Sequence, residues 1–164
     1  MNIRIANIIK ESFVDGPGIR YTIFTQGCKH NCPGCHNPQT HDTTKGVLVD
    51  VDNILEDIMN VAQCNPLVKG VTFTGGEPLL QLKPLLYLCQ RIRVLTDYNI
   101  WIYTGYTFEK ALKLKYFKEL LPFINTIVDG PYIEAERDLE LQFRGSRNQK
   151  IIKIDKKLLE EINK

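Results

Sequence analysis

Residues 21–35 read Tyr21-Thr22-Ile23-Phe24-Thr25-Gln26-Gly27-Cys28-Lys29-His30-Asn31-Cys32-Pro33-Gly34-Cys35, an apolar run followed by three cysteines at a C-x3-C-x2-C spacing. The run reads as a strand from Arg20 to Gln26 that feeds a tight loop. Gly27 ends the strand, and Pro33-Gly34 turns the segment back on itself. Such a loop can aim three thiolates at one place, which suits an iron–sulfur cluster or zinc. A disulfide framework would spread its cysteines along the chain. The count of three favours iron–sulfur, because structural zinc is closed by four ligands and usually shows C-x2-C pairs. A [4Fe–4S] cube held by three thiolates keeps one iron open to a small molecule, so the loop is suited to chemistry. A Cys3His zinc site completed by His30, His36 or His41 is the competing reading of this octet.

Outward from the loop, strands alternate with helices. Ile3 to Ile9 alternates apolar residues as a first strand or arm, and Asp15-Gly16-Pro17-Gly18 is a dense turn. Val47 to Val51 is short and apolar, and Asp50 or Asp52 can cap a helix whose face is Ile54, Leu55, Ile58, Val61 and Ala62. Cys64 lies at its end, and Asn65-Pro66 stops it. Gly70 to Thr74 reads as a second core strand running into Gly75-Gly76-Glu77-Pro78. The next helix tolerates Pro84 in its first turn and buries Leu82, Leu85, Leu86, Cys89 and Ile92, which makes Cys89 a packed, inert thiol. Asn99 to Thr104, Ile124 to Val128 and Lys150 to Ile154 read as further strands. Thr107 can cap a helix carrying Phe108, Ala111 and Leu112, and Leu158 to Ile162 reads as a terminal helix.

This alternation predicts an α/β fold with a mostly parallel sheet and right-handed crossovers. In such folds the working edge lies where strands end. The cysteine loop, Gly75-Gly76-Glu77, Tyr103-Thr104-Gly105-Tyr106 and Asp129-Gly130-Pro131-Tyr132 all fall at those ends. The chain has 164 residues. A closed eightfold barrel needs roughly 200 or more, so the expectation is an open, partial (β/α) barrel forming a single domain over residues 1–164.

Composition bounds the function classes. Apolar residues make up 43% and charged residues 24%, as in soluble globular proteins. A net charge of +2 without a long basic run argues against nucleic acid or a membrane surface as partner. Met1-Asn2-Ile3-Arg4 opens no signal-peptide pattern, and no apolar stretch reaches spanning length. The expected location is the cytoplasm, where thiols stay reduced and five cysteines fit metal ligation better than disulfides.

Gly75-Gly76-Glu77-Pro78 alone is a turn between strand and helix, with exposed backbone groups and a carboxylate able to meet an amine. One βα unit after the cysteine loop, it completes a pair that resembles the radical S-adenosylmethionine superfamily. Asp15-Gly16-Pro17-Gly18-Ile19-Arg20 further resembles the opening of glycyl-radical-enzyme activases. Trp101-Ile102-Tyr103-Thr104-Gly105-Tyr106, Val128-Asp129-Gly130-Pro131-Tyr132, Arg144-Gly145-Ser146-Arg147-Asn148-Gln149, the short chain and Pro33-Gly34 before Cys35 resemble the activases of the anaerobic ribonucleotide reductase. The likeness runs from about Ile8 to Ile152.

The resemblance implies that Cys28, Cys32 and Cys35 ligate three irons of a [4Fe–4S] cluster and that S-adenosylmethionine chelates the fourth. Reductive cleavage would release methionine and a 5′-deoxyadenosyl radical. That radical would take a hydrogen from a glycine α-carbon near the C-terminus of the anaerobic ribonucleoside-triphosphate reductase. Gly34, Cys35 and His36 would lie against S-adenosylmethionine. Gly75 and Gly76 would meet its methionine part, with Glu77 as a carboxylate partner. Tyr103, Thr104 and Asp129 are candidate adenosine contacts, each with an equally good structural reading. Arg144 to Gln149 docks the partner, closes the pocket or simply turns the chain, while His30 and His41 read as surface residues. A flavodoxin-like protein is the electron donor the family suggests. The alternatives are an activase of the pyruvate formate-lyase type, a small-molecule radical S-adenosylmethionine enzyme such as a deazapurine synthase, and a zinc-stabilised binding module.

Overall fold

The computed structural model describes residues 1–164. Seven strands form one sheet: β1 (Asn2–Ser12), β2 (Ile19–Thr25), β3 (Val47–Asp50), β4 (Val68–Gly75), β5 (Asn99–Tyr103), β6 (Thr126–Asp129) and β7 (Lys150–Lys153), in the order β3-β1-β2-β4-β5-β6-β7. The helices are α1 (Val51–Cys64), α2 (Leu82–Leu95), α3 (Phe108–Ala111), α4 (Phe117–Leu120) and α5 (Lys156–Ile162). The elements read from the sequence are present, with ends shifted by a few residues.

The sheet is mixed, which corrects the expectation of a mostly parallel one. Strands β2, β4, β5 and β6 run parallel, with Tyr21 opposite Val71, Val71 opposite Ile100 and Ile102 opposite Ile127. The flanks are antiparallel: β1 pairs with β2 and β3, and β7 pairs with β6. The cause lies in the connections. A parallel pair needs a crossover of a dozen or more residues, whereas the turn from Phe13 to Gly18 is short enough for a hairpin.

Alternation along the central strands sorts the side chains. Tyr21, Ile23, Val71, Phe73, Ile100, Ile102 and Ile127 face the helices and join Ile54, Ile58, Leu85, Leu88 and Ile92 in one core. Full burial of a side chain such as Phe73 or Leu85 stabilises the fold by about 1.5–3 kcal/mol each. Asp50 caps α1 by accepting from the Asp52 amide at 2.8 Å. Cys89 is wholly buried on α2, as its place in the apolar stripe predicts.

The opposite face carries Arg20, Thr22, Thr72 and Trp101 without a helical layer. Arg20 is buried here. Its guanidinium donates to Thr72 Oγ1, the Val71 and Asn99 carbonyls and the Pro17 carbonyl, and lies 5.8 Å from the Trp101 ring centroid. This network fastens the Asp15–Gly18 turn to the floor of the sheet. Parallel direction in the four central strands puts the ends of β2, β4, β5 and β6 on one edge. No helix is long and apolar enough to cross a membrane.

Candidate functional site

The cysteine loop leaves β2 and closes on itself. The Gly27 amide donates to the Thr40 carbonyl at 2.7 Å, and the Cys28 amide donates to that of His41 at 3.0 Å. Between those ties the chain turns through two left-handed residues, Asn31 (φ 54°) and Gly34 (φ 75°). Asn tolerates that region, and Gly adopts it without steric cost. At Gly34 a Cβ would also sit 2.8 Å from the Glu134 carboxylate.

The loop brings Cys28, Cys32 and Cys35 to one pocket of about 210 Å³, each half-buried and free of any disulfide. The facing wall is Thr74, Gly75 and Gly76 at the end of β4 and Tyr103, Thr104 and Gly105 at the end of β5. Gly130, Tyr132, Gly145 and Gln149 close the third side. The strand-end turns expected to meet along one edge therefore do so. His36 lines the pocket too, its ring edge-on to Tyr132 with centroids 5.1 Å apart.

No three His, Cys, Asp or Glu side chains are placed to hold one metal ion. Zinc needs its ligands gathered on a single centre. A four-iron cube takes each thiolate on a different iron, so three soft donors spread around a shared pocket fit that group. Burial pushes the Cys28 thiol up and neighbouring Glu77 and Cys32 add to this, while the His30 and Asn31 amides pull it down. A bound metal would override that balance, since coordinated thiols are deprotonated. The Cys35 sulfur accepts from the Asn37 amide at 3.5 Å and lies 3.3 Å from His41 Nε2. Hydrogen bonds to cluster sulfurs are one lever on reduction potential.

Gly75 and Gly76 bring bare backbone to the pocket. Gly75 has a φ of 96°, and a Cβ on Gly76 would lie 2.4 Å from the Gly27 carbonyl oxygen. The two strand ends are thus in direct backbone contact, sealed by the Glu77 amide donating to Gly27 at 2.7 Å.

Glu77 departs from the role expected for it. Its carboxylate is 1% exposed and already accepts from four donors. These are the Gly105 amide at 2.7 Å, Thr104 Oγ1 at 2.9 Å, the Leu79 amide at 3.0 Å and His30 Nε2 at 2.5 Å. It does not line the pocket. Asp129 is likewise occupied, accepting from the Phe108 and Lys150 amides at 2.8 and 3.1 Å. Thr104 spends its hydroxyl on Glu77. Of the three adenosine candidates only Tyr103 offers the pocket an uncommitted side chain.

His30 and His41 are not the plain surface residues expected: one is bonded to Glu77, the other sits against Cys35, and both line the pocket. Tyr132 also lines the pocket, from the turn that follows β6, and no local sequence signal beyond that turn distinguishes it. The segment Arg144–Gln149 folds as a turn whose Gln149 side chain accepts from the Gly145 and Ser146 amides and donates to the Gly130 carbonyl. It thereby seats Gly145 and Gln149 on the pocket wall.

The family of 4Fe-4S single cluster domains matches residues 14–152. A Haemophilus influenzae protein named anaerobic ribonucleoside-triphosphate reductase-activating protein is 37% identical over 140 residues, 83% of this chain and 88% of that one. Proteins of the same name from Escherichia coli K12 and phage T4 are 34% and 32% identical. They match 83% and 85% of this chain, and 89% and 86% of their own. Among solved structures, QueE from Escherichia coli overlaps 65% of this chain and 54% of its own with a TM-score of 0.47 and 22% identity.

Proposed function

The chain belongs to the family of anaerobic ribonucleoside-triphosphate reductase-activating proteins, and from that premise we propose that it generates the glycyl radical of the anaerobic ribonucleoside-triphosphate reductase. It works as a radical S-adenosylmethionine oxidoreductase. A [4Fe–4S] cluster held by the loop cysteines would supply the one electron needed to cleave S-adenosylmethionine to methionine and a 5′-deoxyadenosyl radical, and hydrogen taken from the reductase glycine would leave 5′-deoxyadenosine. The observation that carries this reading is the meeting of the three loop cysteines with Gly75 and Gly76 across one pocket.

The residues divide the work. Cys28, Cys32 and Cys35 hold the cluster. His36 flanks Cys35 and lines the pocket that S-adenosylmethionine would enter, and Gly34 on the other side of Cys35 lets the loop turn. Gly75 and Gly76 offer backbone groups to its methionine end, fixing orientation before the electron moves. Tyr103 and Tyr132 bound the same space and exclude water. The four parallel strands with their helices form an open part of a (β/α) barrel, a single domain over residues 1–164. The open side of this incomplete barrel suits a protein substrate, since a loop of the reductase can enter and close the site with its own surface. The electron comes from a flavodoxin-like protein in the cytoplasm.

The test is anaerobic incubation of the cluster-loaded chain with reductant, S-adenosylmethionine and its cognate reductase. The expected result is a glycyl radical signal on the reductase with 5′-deoxyadenosine formed alongside. Persistent absence of both, with a cluster present, overturns the proposal.

A further inference from the structure

We propose that His30 and Glu77 form a latch that fixes the pose of the cysteine loop against the strand ends, making both positioning residues for the reaction above, on which reading the proposal rests. Residues 29–36 make one hydrogen bond to the protein beyond their own loop, from His30 Nε2 to Glu77 Oε1 at 2.5 Å. Every other tie of this segment stays inside the loop, such as Asn37 or His41 to Cys35. The single external bond sits two residues from both Cys28 and Cys32. Backbone bonds at Gly27 and Cys28 fix where the loop starts, and the bond to His30 is what ties the segment beyond them, with Cys32 and Cys35, to the ends of β4 and β5.

The partner is built for that task. Glu77 is buried, and its other donors come from the backbone and side chains of fixed elements: Leu79 after β4, and Thr104 and Gly105 after β5. A carboxylate saturated in this way cannot swing toward the pocket without orphaning several buried donors. The imidazole is confined on two further sides. Its ring meets Tyr106 edge-on at 4.6 Å, and a Cβ on Gly105 would approach its Cδ2 to 2.5 Å. Opposite a carboxylate, Nε2 is the nitrogen that carries the proton. The latch joins three strand ends, β2 through its loop, β4 and β5, at one buried oxygen.

The test uses His30→Phe, which keeps a ring and removes the donor, and His30→Gln, whose amide can reach the same acceptor. Two readouts apply. In cluster-free protein, hydrogen exchange of the peptide containing Gly105 reports the latch directly, because that amide donates to the same carboxylate. In the anaerobically reconstituted protein, the paramagnetic resonance spectrum and reduction potential of the cluster report the pose of the thiolates. For His30→Phe the expected results are roughly tenfold faster exchange at Gly105, the scale of one lost charge-assisted bond, and a shifted spectrum and potential. His30→Gln should restore both toward the wild type. Wild-type exchange, spectrum and potential in His30→Phe overturn the latch, as does a His30→Gln that behaves like His30→Phe. If His30→Phe fails to fold, Glu77→Gln probes the same bond from the other side and should shift the same signals. A wild-type chain that takes up no four-iron cluster would defeat the proposed function, while the exchange comparison would still decide the latch.

Discussion

Arg20 donates through Nε to Thr72 Oγ1 at 2.7 Å, joining β2 to β4 on the face of the sheet that lacks helices, beneath the Asp15–Gly18 turn, with a charge that is 1% exposed. Burial lowers the guanidinium to about 10, opposed by Tyr103 and Asp15, so it remains charged at neutral pH. Its remaining bonds reach the Val71, Asn99 and Pro17 carbonyls. Arg20→Met removes the charge and leaves these acceptors unpaired, a loss of about 3 kcal/mol. Arg20→Lys keeps the charge without the planar fork and recovers only part of it. Denaturant unfolding of the three proteins checks the order, and an Arg20→Met as stable as the wild type would contradict it.

Gly76 tests the contact between strand ends. An added Cβ would lie 2.4 Å from the Gly27 carbonyl oxygen and 2.9 Å from that of Thr40, both backbone atoms. Neither can move without shifting the start of the cysteine loop. Gly76→Ala should cost about 1–3 kcal/mol and lower the iron bound per chain. Gly18→Ala is the control: its φ is 71° but nothing lies within 4 Å, so it should cost about 1 kcal/mol and keep its iron. Equal iron retention in both variants would disprove the steric argument.

Alkaline pH should unfold the chain through its buried phenols. Burial, with the Asp57 hydrogen bond and charge, pushes the Tyr21 phenol up, and burial with Asp15 does so for Tyr103, against the pull of Arg20. The folded chain keeps both protons where an unfolded phenol, with its ordinary value of about 10, would release them. Stability from these groups is thus intact below about pH 10 and falls above it. Tyr21→Phe should flatten that fall, measured as the unfolding midpoint between neutral and alkaline pH. An unchanged slope would reject the assignment.

The two cysteines outside the loop should separate by reactivity. Cys64 is exposed at the end of α1, while Cys89 is fully buried and its thiol is pushed up by that burial, with a small opposing pull from Arg93. Only the thiolate reacts. Iodoacetamide on the folded, cluster-loaded protein should label Cys64 and spare Cys89 until unfolding. Comparable labelling rates at both would contradict the packing of α2.

Much of the site was legible because its motifs are local. The Tyr21–Phe24 strand, the cysteine loop and Gly75-Gly76 at the end of β4 are each specified by a few neighbouring residues. The orientation of β1, β3 and β7 was not, because an alternating strand reads the same whichever way its neighbour runs. Glu77 shows the same limit at the level of one side chain. As the residue after two glycines it reads as a ligand-facing carboxylate, yet its partners lie 47 positions earlier at His30 and 27 and 28 positions later at Thr104 and Gly105. Asp129, held by amides 21 residues away on either side, was equally beyond local reading.

The most direct test of the central claim is the paramagnetic resonance spectrum of the anaerobically reconstituted, reduced protein before and after S-adenosylmethionine is added. A four-iron signal that changes on addition is the predicted result, because three thiolates leave one iron free to take the new ligand. A sound cluster signal that ignores S-adenosylmethionine would contradict the account.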